Sequence, residues 1–506
     1  MFDLIARGGE VLDGTGSEAF RADVGVRRGR IDVVGPLDGA QADWEIDATG
    51  RYVAPGLVDA HVHADAAVLD PAVQLALLRQ GVTTVVLGQD GLSYAPGSPS
   101  TVDFVGRYFA PVNGVHPGFL GGSVADLLAT YDLATAVNTA YLVPLGTVRY
   151  EVMGPAPRAA GPDELAAMRR LVESGLTDGA VGLSSGLEYA PGRYANIDEL
   201  TYLCEALSGR PYVTHMRGYE MNAPAGFAEA VEVGRRSRAP VHVSHFHGPA
   251  RSLLDLLHRA PVDVSFDSYP YLRGSSTLAL VTLPDWLPAA DLDATTAALR
   301  DPAVRARLLA LWPDELWRRI TIACVAHPDW AWTQGLRLPA AAHRVGLSPS
   351  RLALELLLAD ELRVGCVFDH PPTNSDESVR ALLRHPAQMG GSDGIYRGGH
   401  PHPRGYGAFA RLLGRHVREL RDWTWPAAVH HLADWPATRF GLAGRGLVRR
   451  GYVADLIIFD PATVADRATY DRPREPAVGV ADVVVGGVPV LANGALTGAT
   501  TGRALR

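Results

Sequence analysis

Eight short apolar runs, separated by stretches of helical pattern, constrain the fold of this chain more than any other feature of its sequence. Each run is rich in β-branched residues and is followed by a segment suited to a helix, as in repeated βα units. The runs cover residues 56–63, 82–88, 140–145, 180–184, 212–215, 241–245, 262–266 and 389–392. They predict an α/β fold built on a parallel (β/α)8 barrel of the TIM type.

Both ends of the chain have a different pattern from the barrel region 54–444. Residues 1–53 and 445–506 contain short strand-like runs separated by Gly-Gly, Asp-Gly and Asn-Gly turns, which predicts a small β-sandwich built from both termini. The connection between the seventh and eighth runs is too long for a simple crossover. Its residues from about 273 to 365 are rich in Leu, Ala, Arg and Trp, and we expect a helical insertion there.

Composition narrows the possible partners and the compartment. The 506 residues carry a net charge of -8, so the basic surplus typical of nucleic-acid binding is missing. All the basic residues apart from histidine are arginine, and the sequence contains no lysine. Cys204, Cys324 and Cys366 are odd in number and widely spaced, which favours free thiols. We find neither a signal-peptide pattern nor a membrane-spanning apolar stretch. We therefore expect a cytoplasmic enzyme without a membrane partner, and its oligomeric state stays open.

The first candidate site residues are His61 and His63, which close the first apolar run. Side chains two positions apart on a strand share a face, so both imidazoles point the same way. Two neighbouring imidazoles can form half of a metal site, and the active sites of such barrels lie at the carboxyl ends of the strands. A chance His-x-His pair in a chain with 17 histidines is the alternative.

Three further residues end later strands. His215 and His245 close the fifth and sixth runs, one βα unit apart, and Asp393 follows the eighth run. Each alone could be a polar residue that caps a strand or lies in the core. Together with His61 and His63, they predict a divalent-metal centre at one end of the barrel.

The order of these residues resembles the amidohydrolase superfamily and, within it, the D-aminoacylases, or N-acyl-D-amino-acid deacylases. The resemblance extends over nearly the whole chain, through motifs at residues 81–86, 182–189, 268–271, 392–394, 402–407, 454–460 and 497–498. It implies a metal-dependent hydrolase whose small-molecule substrate is an N-acyl-D-amino acid. Hydrolysis of a cyclic amide, a cyclic imide or a dipeptide-like compound is the alternative, and an inactive scaffold or binding protein is a further one.

Two departures from the family concern the metal. The absence of lysine excludes a carboxylated lysine as a bridge between two ions. The D-aminoacylases carry a cysteine ligand after the second strand, where this chain has Asp90 in Gly-Gln-Asp-Gly. Asp90 could bind one ion, bridge two, or merely be a turn residue before glycine. A carboxylate loosens the preference for zinc, so we expect one or two divalent ions of zinc or, alternatively, manganese, iron or cobalt.

The resemblance also implies roles for the remaining residues. His215, His245 and Asp90 would hold the principal metal, and His61 and His63, with Asp393, would form a second position. Asp393 would be the catalytic base and acid. The predicted substrate-binding residues are Arg404, for the α-carboxylate, with Tyr189 and either Tyr269 or Tyr271. The residues expected to support the site from its mouth are Glu188, His247, His400 and His402.

Overall fold

The protein is described by a computed structural model that covers all 506 residues. Its centre is a sheet of eight parallel strands in which each strand pairs with the next one along the chain. We number these strands β1 to β8. They are Leu57–Asp59, Val82–Leu87, Asn138–Pro144, Gly182–Gly186, Tyr212–His215, Val241–Val243, Val264–Ser268 and Gln388–Gly390. The predicted barrel is confirmed, and each of its strands overlaps one of the eight apolar runs.

The barrel closes between β8 and the residues that follow β1. The Ala60 amide donates to the Gly390 carbonyl at 3.0 Å, and the Asp393 amide donates to the His61 carbonyl at 2.8 Å. Just beyond, Val62–His63 and Gly394–Ile395 form a short parallel pair. This closure puts Asp393 beside the His-x-His segment, although 330 positions separate them in the sequence.

Helices surround the barrel and fill its connections, and none is long and apolar enough to cross a membrane. Outside the insertion the α-helices are Pro71–Leu78, Pro99–Tyr108, Val124–Tyr131, Leu145–Met153, Pro162–Thr177, Ile197–Cys204, Ala223–Ser237, Ala250–Arg259, Asp376–Leu383, Arg404–Arg411, Trp425–Val429 and Trp435–Arg439. Two π-helical segments, Leu412–Glu419 and His430–Asp434, continue the helices that precede them.

The insertion before β8 contains both helices and strands, so the helical expectation was incomplete. Its helices are Leu278–Thr282, Leu292–Arg300, Pro302–Leu311, Asp314–Arg318, Leu338–Arg344 and Pro349–Ala359. Its strands, Arg273–Thr277, Ile320–Cys324 and Gly365–Asp369, form an antiparallel sheet. The first strand is short and mostly polar, and the other two lie far apart in the sequence, so no local alternation marked them as a sheet.

The termini fold together into one nine-stranded sheet. Its strands are Phe2–Val11, Phe20–Arg27, Arg30–Gly35, Ala42–Asp47, Tyr52–Pro55, Leu456–Phe459, Val480–Val485, Val488–Ala492 and Ala495–Leu496. The sheet is mixed, because Phe2–Val11 pairs in parallel with both Ala42–Asp47 and Tyr52–Pro55. Leu456–Phe459 pairs with Tyr52–Pro55 and so joins the two ends of the chain.

One continuous apolar core supports the site. A cluster of 93 buried residues includes barrel strands, surrounding helices and insertion residues such as Leu299, Trp317 and Ile322. The insertion is therefore packed onto the barrel as part of the same body, and it can supply fixed walls for a cavity at the carboxyl ends of the strands.

Candidate metal centre

The four predicted histidines meet at the carboxyl end of the barrel. His61 and His63 follow β1, His215 ends β5, and His245 lies two residues beyond β6. The ring centroids are 5.3 Å apart for His61 and His63, 5.1 Å for His61 and His245, and 4.7 Å for His215 and His245. All four side chains are buried. The structure thus brings together residues from three strands that are separate in the sequence.

Asp90 lies among these four histidines. Its Oδ2 is 3.5 Å from His63 Nε2 and 3.3 Å from His215 Nδ1. Its Oδ1 is 3.6 Å from His61 Nε2 and 3.8 Å from His245 Nε2. Each carboxylate oxygen therefore faces one histidine of each pair. This central position favours the ligand interpretation of Asp90 over that of a simple turn residue.

A tight turn after β2 presents the Asp90 carboxylate. Gly88, Asp90 and Gly91 all have positive φ, at 77°, 54° and 67°. A Cβ on Gly88 would lie 2.3 Å from the Leu142 carbonyl oxygen, and one on Gly91 would lie 2.6 Å from the Gly186 amide nitrogen. Only glycine fits at either position, because the clash is with backbone atoms. Asp90 tolerates the left-handed region better than most residues.

Asp393 faces the other side of the cluster. Its Oδ1 lies 3.4 Å from His63 Nε2 and 3.9 Å from His61 Nε2, and its Oδ2 lies 2.8 Å from Arg404 Nη1. Burial by itself raises the pKa of Asp393, but Arg404 and His63 outweigh burial and hold that pKa below its ordinary value. Asp393 is therefore an ionised carboxylate that is ready to accept a proton.

The donor set fits a divalent ion. His61 Nε2 and Asp90 Oδ1 are buried without a hydrogen-bond partner, which is costly unless another group binds them. His245 Nε2 and His215 Nδ1 lie 3.0 Å apart. Ligand atoms around a tetrahedral zinc ion, at about 2.0–2.1 Å from it, lie about 3.3 Å from one another. The observed separations are close to that spacing.

Buried partners orient the His61 and His63 rings. His61 Nδ1 lies 3.2 Å from Asp267 Oδ2, and His63 Nδ1 lies 3.1 Å from Asn113 Oδ1. Asp267 also accepts from the backbone amide of His245 at 2.9 Å and contacts His242 at 3.1 Å. Metal-binding histidines typically direct the second ring nitrogen to such a partner. Sequence reasoning missed Asp267 and Asn113; a carboxylate within the apolar end of β7 was the one available signal.

His215 has a more exposed partner. Its Nε2 lies 2.8 Å from Glu188 Oε2, so Nδ1 is the nitrogen directed toward Asp90 and His245. The Glu188 side chain is 41% exposed, whereas Asp267 is fully buried. Glu188 was expected near the mouth, and its position as a partner of His215 agrees with that expectation.

A cavity of about 790 Å³ opens above the cluster and reaches Asp90, Asp393 and three of the histidines. Arg404 lines this cavity, although it is fully buried, and its guanidinium stacks 4.6 Å from the Tyr269 ring. Tyr189 also lines it and hydrogen-bonds Ser276 at 3.0 Å. Tyr271 is not among the cavity residues; it packs near His402 and Arg411, so Tyr269 is the tyrosine of the two that faces the cavity.

The other polar residues of this region differ in position. His247 lines the cavity. His402 is buried beneath Arg404 and accepts from its amide at 3.0 Å, while His400 contacts the Tyr470 carbonyl at 2.6 Å, away from the cavity. Asp59 lies below the histidines and accepts from the Ser392 amide at 2.8 Å; burial raises the pKa of this carboxyl to about 7.

The chain is similar to known proteins over nearly its whole length. The model of a family described as "Amidohydrolase family" matches residues 45–491. The D-aminoacylase of Alcaligenes xylosoxydans xylosoxydans is 35% identical and aligns with 100% of this chain and 97% of its own length. The N-acyl-D-glutamate deacylase of that organism is 34% identical, with 96% and 93% covered. A solved N-acyl-D-glutamate deacylase from Bordetella bronchiseptica, in complex with zinc and a phosphonate inhibitor, has a TM-score of 0.84 at 32% identity and covers 100% of this chain and 99% of its own.

Proposed function

Because this chain belongs to the amidohydrolase family, we propose that it is a metal-dependent amide hydrolase that deacylates N-acyl-D-amino acids. The observation that carries the proposal is the convergence of four histidines, Asp90 and Asp393 at one end of the barrel, below a cavity large enough for a small molecule. The full-length similarity to two deacylases of this substrate class supports the choice of substrate.

We propose a set of ligands for each metal position. His215, His245 and Asp90 would hold the principal ion, because His215 Nδ1 lies 3.3 Å from Asp90 Oδ2 and 3.0 Å from His245 Nε2. His61 and His63, with Asp393, would provide a second position, and the ligand atoms of these three residues lie within 4.8 Å of one another. The ligand atoms of His61, Asp90 and His245 also lie within 4.8 Å of one another, so Asp90 would serve both positions. Zinc suits imidazole and carboxylate ligands, and the hard carboxylate of Asp90 also admits manganese, iron or cobalt. A divalent ion bound there would act as a Lewis acid and would lower the pKa of a bound water molecule.

Asp393 performs the proton transfers. Its carboxylate is ionised and borders both the histidine cluster and the cavity, so it can accept a proton from the attacking water. It then returns that proton to the amide nitrogen, which leaves poorly without it. The pair with Arg404 keeps Asp393 ionised until the proton arrives.

Arg404 binds the substrate carboxylate. One of its nitrogens, Nη1, is paired with Asp393, and the planar guanidinium retains further donors toward the cavity. Tyr189 and Tyr269 flank the same space and complete the polar wall. Arg404 therefore couples the two functions of this wall, because the group that binds the carboxylate also holds the catalytic base.

The insertion lines the opposite wall with apolar side chains. Ala279, Leu280, Val281 and Leu283 belong to or follow the helix Leu278–Thr282 and border the cavity. Burial of an apolar group against them is favourable by roughly 25 cal/mol per Å². We therefore propose that this wall takes an apolar side chain or acyl group, in preference to a carboxylate.

The proposal is tested with a panel of N-acyl-D-amino acids of varied side chain, with the L-enantiomers as controls. We expect metal-loaded protein to release amine from D-substrates, fastest for apolar side chains. The Asp393→Asn variant controls for contaminating hydrolase. Release from hydantoins, dihydrouracil or dipeptides, with none from the D-panel, would show that a cyclic or dipeptide-like substrate is correct instead.

Metal analysis separates a hydrolase from an inactive scaffold. Protein grown with zinc, manganese or cobalt should retain at least about one ion per chain, in line with a complete set of ligands. Less than a tenth of an equivalent under all three conditions would contradict the assignment of the centre and with it the hydrolase proposal.

A further inference from the structure

A second group of metal-ligating side chains lies in the wall of the same cavity, outside the centre described above. It consists of Glu220, His247 and His370, which we call the wall cluster. Glu220 follows β5, His247 follows β6, and His370 comes directly after the insertion strand Gly365–Asp369. Three separate segments of the chain thus converge on one point.

The geometry of the wall cluster suits one ion. One ligand atom of each residue lies within 4.8 Å of those of the other two. His247 Nε2 is 3.9 Å from Glu220 Oε1, and the rings of His247 and His370 are 4.1 Å apart. The distance from His247 Nε2 to Glu220 Oε1 exceeds the roughly 3.3 Å spacing of ligand atoms around bound zinc by an amount that side-chain rotation can close.

Hydrogen bonds leave one ligand atom of His247 and one of Glu220 free, whereas His370 Nε2 lies 3.3 Å from the Tyr269 hydroxyl. The Nδ1 of His247 contacts the His245 carbonyl at 2.6 Å, so Nδ1 carries the proton and the lone pair of Nε2 faces Glu220. Glu220 Oε2 accepts from Thr373 at 2.6 Å, whereas the buried Oε1 has no hydrogen-bond partner. An unpaired buried carboxylate oxygen is costly, and a cation would satisfy it.

The backbone holds Glu220 in an unusual conformation. Its φ is 52°, in the left-handed region, which is unfavourable for a non-glycine residue and is concentrated at functional sites. Gly248 packs against it, since a Cβ there would lie 3.4 Å from Glu220 Oε2. The chain thus positions this carboxylate toward the two imidazoles.

We propose that Glu220, His247 and His370 form a further divalent-cation site of the zinc type, distinct from the centre around Asp90. Two imidazoles and one carboxylate, with the fourth position open, are the ligand set of many zinc sites that bind an exchangeable group. The open position faces the cavity and takes water or a carboxylate oxygen. The idea that a substrate carboxylate completes this coordination rests on the proposed function; the cation site itself does not.

Zinc binding to the full chain tests the site directly. Zinc alone is added by equilibrium dialysis at fixed free concentration, and bound ions per chain are counted for the wild type and for His370→Ala and Glu220→Gln. We expect the wild type to bind one ion more than either variant. Thr373→Val is the matched control, because it removes the hydrogen bond to Glu220 without removing a ligand, and it should bind as many ions as the wild type.

Two further sets of variants make the zinc-binding test independent of catalysis and of folding. In an Asp90→Ala background, which disables the principal centre, the ion of the wall cluster should remain and should disappear on adding His370→Ala. His370→Asp places a carboxylate where His370→Ala has no ligand, so it should recover zinc binding. When Co2+ replaces zinc, this variant should also show the visible absorption of a cobalt ion with few ligands.

Equal ion counts in the wild type, His370→Ala and Glu220→Gln would overturn the proposal, whatever the activity. If zinc binds the cluster and also a substrate carboxylate, Glu220→Gln should raise KM for N-acyl-D-amino acids and leave kcat within about twofold. An unchanged KM with a lost ion would retain the cation site and reject its contact with substrate. Absence of hydrolysis in every form would count against the proposed function alone.

Discussion

The two histidine pairs of the metal centre are built in different ways. His61 and His63 come from one short segment after β1, are at most 2% exposed, and have buried partners. His215 and His245 come from two strands, and both border the cavity, whereas only His63 of the first pair does. The partner of His215, Glu188, is 41% exposed. The first pair is therefore a fixed floor, whereas the second faces the substrate and depends more on Asp90 to bring its ligands together.

The largest expected effect concerns Asp393, which belongs to the floor but reaches the cavity. Asp393→Asn should lower kcat by about 10²–10⁴-fold, because an amide cannot accept and return the proton. The ion at His215, His245 and Asp90 should stay bound, because those three ligands are intact, whereas the second position loses the carboxylate of Asp393 and should bind its ion more weakly. The measurement is steady-state kinetics with metal analysis of the same samples.

Asp59→Asn is the matched control for Asp393→Asn. Asp59 is equally buried at the same end of the barrel, but it accepts hydrogen bonds from the backbone amides of Ser392 and His61, and burial raises its pKa to about 7. An amide can accept the same hydrogen bond, so we expect kcat within a few-fold of the wild type. Comparable losses in both variants would mean that Asp393 acts through structure and not through proton transfer.

For Asp90, the main expected effect of substitution is weaker binding of the metal. Asp90→Ala should weaken zinc binding at least about 100-fold, because it removes a ligand, and even the loss of a group that only hydrogen-bonds a ligand typically costs about 10–100-fold. Competition with a zinc-sensitive chelator measures it. Asp90→Cys should restore tight binding of one ion, since a thiolate is a good zinc ligand. Full occupancy by metal in Asp90→Ala would show that the carboxylate is only a turn residue.

The sequence predicted the barrel and the convergence of the histidines for a physical reason. Strand periodicity locates the ends of β1, β5, β6 and β8, and parallel strands of a barrel bring those ends together, so His215 and Asp393 could be placed without a structure. The resemblance to a family added Asp90 and Arg404. It could not show that Arg404 pairs with Asp393, because that contact depends on side-chain geometry across the closed barrel.

Other features were beyond sequence reasoning. Asp267 supports the site through hydrogen bonds to residues of two other segments, and nothing local marks such a role. The sheet of the insertion pairs residues separated by up to 96 positions, as with Arg273 and Asp369. His370 directly follows one of these strands and lines the cavity. Long-range pairings of short strands carry little periodic signal.

Substitution of Asp267 tests whether the buried partners of His61 and His63 make this pair the fixed floor of the metal centre. Asp267→Asn should lower the affinity for metal by about 10–100-fold. The variant removes the negative charge beside His61, and with it the preference of His61 for the tautomer that carries its proton on Nδ1. His61 and the amide of His245 both depend on this carboxylate. The affinity is measured by chelator competition, with circular dichroism as the control for folding. An unchanged affinity would contradict the view that buried partners define the floor.

The smallest expected effect on metal affinity concerns Glu188, which is the partner of His215 on the cavity side, as Asp267 is the partner of His61 on the buried side. Glu188→Gln keeps a hydrogen-bond acceptor for His215 Nε2 and changes a group already in contact with solvent, which screens its charge. We expect metal affinity to fall less than about tenfold, below the effect of Asp267→Asn, when both variants are measured in the same chelator assay. A larger loss than in Asp267→Asn would reverse the comparison, because the partner on the cavity side would then hold the metal more firmly than the buried floor does.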